Sequence, residues 1–228
     1  MFGRATPIFL ALSLGCLGKS LAAEVNFELA LGYGTQGEWD VYDLDLRANL
    51  PHTDVIGSQL TINSDYYFNG TETEDFAQSL ILWRTFLRQD AGRIGIGFGN
   101  VKRKLRFGAG LAETYFVEGS AAVYLNDWNI VVDYRDGEEQ VGNAIRTRHG
   151  FVYYPDVNRS IEFHRVYSNE QESWRLATFV QPIKYRQQTA IGITIEDGPQ
   201  DDMPRLDLLV TYYFDRAITL KDRQRLFH

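Results

Sequence analysis

Arg47, Arg106, Arg135, Arg146, Arg148, Arg175 and Arg186 fall on the polar side of segments whose apolar residues recur with period two. An arginine stays charged at any physiological pH and grips a carboxylate with two parallel N–H bonds. A ladder of them along one wall would bind and pass anionic solutes. Carboxylates share those polar sides: Asp43, Asp45, Asp65, Asp133, Glu162 and Asp207. They supply a plainer reading, in which the arginines pair with them and fill a closed interior, as in small barrels. The two readings are compatible, because a conducting wall can carry both signs.

Other constellations carry less. Gly95, Gly97, Gly99, Gly108 and Gly110 would leave a bare patch on the inner wall if two adjacent strands hold them. The patch would make room for a solute, or receive side chains from opposite. GIGFGN lacks the spacing of a dinucleotide fingerprint. His164, Glu162, Ser168 and Asn169 suggest a hydrolase. However, His164 and Ser168 stand four apart on a strand, roughly 13 Å, where a proton transfer needs about 3 Å. A histidine in a polar network is the expectation, and no catalytic residue is assigned. The acidic stretches around Glu72, Glu74, Asp75, Asp136, Glu138, Glu139, Asp197, Asp201 and Asp202 lack the Asp-x-Asp-x-Asp-Gly spacing of a dedicated Ca²⁺ loop. They read as solvated loop charge, and neither metal nor cofactor is expected. The sequons at Asn69 and Asn158 add nothing to the assignment.

The elements that must position these residues are strands. Val25, Phe27, Leu29, Leu31 and Tyr33 share one face, with Asn26, Glu28, Ala30 and Gly32 on the other. Successive strand side chains point to opposite sides. The pattern returns at 42–50, 56–68, 94–99, 128–135, 185–195 and 206–214. Alternation alone does not say which face is wet. The polar faces mix Gly, Ala and Thr with charges, which suits a confined lumen. The apolar faces carry Tyr, Phe or Trp near strand ends, as a girdle at a lipid interface requires. Backbone groups in lipid must be paired internally, so such a sheet must close.

Turn chemistry sets the count. Tight connections are expected at 51–54, 89–92, 126–127, 155–158 and 182–184. Polar, mostly acidic loops are expected at 35–38, 69–75, 136–143, 168–172 and 197–203, with 101–104 as a sixth. The classes alternate and yield an all-β, antiparallel, up-and-down transmembrane barrel of about 12 strands, with ten or fourteen as alternatives. The weak point is 105–125, too long for one lipid crossing, with Glu113 on its apolar face. A bulge or an extension above the membrane would explain both.

The start of the chain has Arg4, an apolar run over 8–17 and a Ser20-Leu21-Ala22 cleavage pattern. We read 1–22 as a signal peptide, 23–214 as barrel and 215–228 as a periplasmic tail. Acylation at Cys16, the only cysteine, is the alternative for the leader. With 1–22 removed the formal charge moves from −7 to −9. No basic stripe offers nucleic acid a footprint. The aromatic share of 14% is rich for a soluble domain and ordinary for a barrel with girdles.

RLDLLVTYYF, residues 205–214, resembles the C-terminal assembly signal of Gram-negative outer-membrane proteins, except that a 14-residue tail follows it. The resemblance implies recognition of 206–214 by the barrel-assembly machinery. In size, strand count and leader the chain also resembles the twelve-stranded oligosaccharide porins of the oligogalacturonate and sialic-acid group. That likeness is architectural and transfers no functional position. It implies an outer-membrane monomer among lipid and lipopolysaccharide, passing small polar or anionic solutes. The alternative is a plugged barrel that anchors a surface component or assists its export. A lipid-modifying enzyme ranks third.

Overall fold

The structure is a computed structural model and describes residues 25–70, 76–104, 110–139, 142–168, 171–185, 187–197, 203–214 and 218–227. The leader at 1–22, Arg106, Gly108 and Arg186 lie outside the described residues, as do Glu72, Glu74, Asp75, Asn169, Asp201 and Asp202.

Twelve strands follow in order: β1 (Asn26–Gln36), β2 (Trp39–Pro51), β3 (Ile56–Phe68), β4 (Phe76–Gln89), β5 (Gly92–Lys104), β6 (Leu111–Leu125), β7 (Trp128–Glu139), β8 (Gly142–Asp156), β9 (Arg159–Ser168), β10 (Gln171–Val180), β11 (Thr189–Asp197) and β12 (Arg205–Tyr213). Each pairs antiparallel with its sequence neighbour. β12 closes on β1, setting Leu31 opposite Val210 and Glu28 opposite Tyr213. The expected up-and-down barrel of twelve strands is the observed fold. Closure leaves no strand edge unpaired.

Strand parity divides the residues as the alternation requires. On β12, Leu208 points outward and is 52% exposed, while Asp207 points inward and is 5% exposed. Leu31, Leu46, Ile62 and Ile96 are likewise exposed on the exterior. A surface so apolar on every strand is solvated by hydrocarbon, not by water. Aromatic pairs mark both rims. Tyr33 packs on Tyr42 at one end, and Trp128 on Phe151 and Tyr153 at the other.

Both barrel termini lie at the second of these ends, the termini end. Its connections are short. At 52–55, Thr53 Oγ1 accepts from the amides of Val55 and Ile56. At 126–127, Asn126 takes the left-handed conformation (φ 46°) that a two-residue hairpin turn needs. The connection over 181–188 departs from expectation: Ile183–Tyr185 form a 3₁₀ turn, so Tyr185 precedes β11 and is not part of it.

The opposite, loop end differs more. Residues 35–38 were expected as a loop, but β1 and β2 run almost to meeting, because Gly37 (φ 60°) permits a two-residue turn. Residues 101–104 are strand, not connection: Val101 and Lys102 pair with Leu80 and Ser79. Residues 136–139 likewise continue β7, paired with the start of β8, so the expected acidic loop is shorter than its composition implied. The long segment becomes a single strand, β6, starting at Leu111. Glu113 faces outward there, 3.2 Å from Lys102 and accepting from Asn100 and Tyr115. An outward ion pair of this kind places the tops of β5 and β6 beyond the apolar belt.

The tail carries one further element, α1 (Leu220–Phe227). Thr219 caps it, its Oγ1 accepting from the Asp222 amide at 3.2 Å. Leu220, Arg223 and Phe227 share its buried face.

Candidate functional site

The barrel interior collects nearly all the buried charge. Near the loop end, Arg205 on β12 lies 2.7 Å from Asp207, 3.5 Å from Asp65 and 3.6 Å from Asp43, and donates to Tyr67 at 3.0 Å. Asn63 donates to both Asp43 and Asp45, at 3.1 and 2.7 Å. Arg47 sits 3.3 Å from Asp45 and 3.6 Å from Glu28. The wall formed by β12 and β1–β3 therefore holds more carboxylate than arginine.

The wall from β4 to β10 has the opposite excess. Arg84 on β4 and Arg135 on β7 both donate to Glu118 on β6, a carboxylate with no solvent exposure. β5 stands between Arg84 and Glu118, but Gly97 holds that register position. A Cβ there would lie 3.0 Å from Arg84 Cγ, so the glycine is what lets the arginine cross. Gly99 similarly accommodates the Phe116 ring. Arg148 pairs with Asp133 at 2.6 Å. Arg146 stands directly opposite Arg135 in the β7–β8 ladder. Among the described residues, no carboxylate lies within ion-pair distance of Arg146, Arg175 or Arg93. Asp133, Arg135, Arg146 and Arg148 line a pocket of about 20 Å³, room for a water or a small ion. In a ring of twelve, β2 and β8 lie opposite each other, so the acidic and basic walls face across the lumen.

At the termini end α1 lies in the barrel mouth. Gln59 on β3 donates to the Phe227 carbonyl at 2.6 Å, and Arg88 on β4 donates to the Leu226 carbonyl. Tyr124 on β6 donates to the Arg225 carbonyl at 3.1 Å. Arg225 donates to Asn129 on β7, and Gln224 to Glu162 on β9 at 2.7 Å. Tyr154 on β8 donates to Gln224. The Arg223 guanidinium lies 3.8 Å from the ring centroid of Tyr213 on β12. The segment set apart from the sequence as a periplasmic tail thus holds a helix packed against interior side chains of seven strands.

Neither a known protein family nor a curated protein matches the sequence. Solved structures do match in shape. The KdgM porin superposes with a TM-score of 0.63 at 10% identity, covering 82% of this chain and 99% of that one. An outer-membrane channel from Pseudomonas putida F1 gives 0.62 at 8% identity, covering 86% and 97%. The chain shares its closed antiparallel barrel fold with these two proteins.

Within that fold, Arg47, Arg135, Arg146, Arg148, Arg175, Asp43, Asp45, Asp133 and Glu162 all carry inward register positions, while Arg106 and Arg186 are not described. His164 is buried 3.7 Å from Glu162, and Ser168 stands across from Arg146 in the β8–β9 ladder. Gly95, Gly97 and Gly99 face inward on β5. Sequence reasoning missed Arg84, Arg93, Glu118 and Arg205. β4 reads FAQSLILWRTFLRQ, with Leu82 and Phe86 inward and Ile81 and Leu87 outward. Apolar residues on both faces erase the alternation that would have assigned Arg84 a side. Arg205 was readable, since it shares parity with Asp207.

Proposed function

We propose that this chain is an outer-membrane channel for small anionic solutes, with its termini end in the periplasm. The supporting observation is the surplus of inward arginine on the β4–β10 wall, above all Arg146, which faces Arg135 instead of a carboxylate. Arginine binds carboxylates and phosphates through a planar fork of donors. An arginine with no carboxylate partner among the described residues lowers the energy of an anion passing it, and the acidic wall opposite orients a solute carrying both charges. Among the similar structures is the KdgM porin in complex with disordered oligogalacturonate, and a string of galacturonate units is a polyanion. On this reading the exterior meets lipid and lipopolysaccharide, residues 206–214 engage the barrel-assembly machinery, the chain works as a monomer, and it performs no catalysis.

Proteoliposome swelling tests the proposal. Liposomes holding the full chain should swell faster in an isosmotic small organic acid than in an amine of equal size. Equal rates, or none above empty liposomes, would contradict it.

α1 favours a second reading, a plugged barrel that anchors a surface component or assists its export. That reading expects no solute uptake and a partner protein that co-purifies.

A further inference from the structure

We propose that α1 is a displaceable plug that closes the termini end of the lumen and opens it by leaving. This regulation rests on the channel reading.

The helix crosses the bore. Gln59 on β3 and Glu162 on β9 are six strands apart in a ring of twelve, so they stand on opposite walls, and both hydrogen-bond to the helix. A ring of that size is about 24 Å across between backbones, from a spacing of about 4.8 Å and a tilt of about 40°. Side chains from both walls leave a passage about as wide as one helix, roughly 10–12 Å. A helix seated there blocks solutes.

Its contacts are of a kind that can be exchanged. Only Leu220 and Phe227 are apolar and buried. The hydrogen-bonding and ionic partners on the wall are Gln59, Arg88, Tyr124, Asn129, Tyr154, Glu162 and, for Lys221, Asp127 at 2.8 Å, and Arg223 adds a cation–π contact with Tyr213. Water can replace each of these when the helix leaves, so departure strands no buried donor in a dry core. An eight-residue helix is not stable alone in water. It exists because the barrel mouth holds it, and leaving and unfolding are one event. Lys221, Arg223 and Arg225 outnumber Asp222, so the plug is cationic, and anions arriving through the lumen compete with the wall for Arg223 and Arg225.

Single-channel recording in planar bilayers tests this with three full-length or near-full-length forms. These are the intact chain, a chain ending at Phe214, and the intact chain carrying Arg223→Ala and Gln224→Ala. Heat-modifiable gel migration confirms that each barrel has folded, and the double variant serves if the truncated chain does not fold. The proposal expects brief openings in the intact chain. It expects the open fraction to rise about tenfold in the double variant and to approach continuous opening on truncation. Equal open fractions in all three forms would overturn the plug and leave the channel standing. An intact chain that never opens beside a truncated chain that conducts would overturn displacement, leaving a fixed plug. Folded barrels silent in all three forms would overturn both the plug and the channel.

Discussion

Arg84 and Glu118 join across an intervening strand, over a position where Gly97 contributes no side chain. The pair ties β4 to β6, and Arg135 extends the tie to β7. Filling Gly97 should break it. We expect Gly97→Val to destabilise the barrel by about 2–4 kcal/mol, combining overpacking with a disturbed buried ion pair. Gly119→Ala, on the outer face with nothing within 4 Å of the added carbon, should change stability by less than about 0.5 kcal/mol. Urea unfolding in lipid vesicles distinguishes them.

Glu118 carries two arginines, so its loss should be felt twice. Glu118→Gln should cost about 3–5 kcal/mol, because two part-buried arginines lose a fully buried counter-charge. The surviving barrels should conduct anions with greater preference than the parent. Unfolding and reversal potential, measured on one preparation, check both halves of the expectation.

Arg146 should behave in the opposite way. Without a carboxylate at ion-pair distance among the described residues, it contributes little to folding. Arg146→Ala should shift stability by less than about 1 kcal/mol, yet reduce anion preference. Arg146→Glu should reduce it further, since the new carboxylate would face Arg135 and neutralise it.

Much of this architecture was legible because a strand repeats every two residues. Leu208 and Asp207 are chain neighbours, one outward and exposed, the other inward and buried, so parity alone assigned Arg47, Arg135 and Arg148 to the interior. It failed where both faces are apolar, as on β4, and so Arg84 escaped notice. Contacts between distant strands carry no local signal either. Nothing in the spacing of Arg84, Gly97 and Glu118 says that they share one row. The helix at 220–227 was not foreseen, the sequence reading having only a tail there, because its socket is assembled from seven strands.

The exterior offers an independent check on which face is wet. Leu208→Arg, on an outward position 52% exposed, should cost about 2–4 kcal/mol if that position lies near the bilayer midplane. Thr211→Ser, inward on the same strand, should cost less than about 1 kcal/mol. Equal costs would argue that the two faces meet the same solvent.

Anion passage depends above all on the sign of the charge lining the lumen. Reversal potential across a tenfold gradient of potassium chloride, recorded from single openings of the intact chain, reads that sign directly. The arginine-rich wall predicts a potential of the polarity set by chloride. A potential of the polarity set by potassium would contradict it.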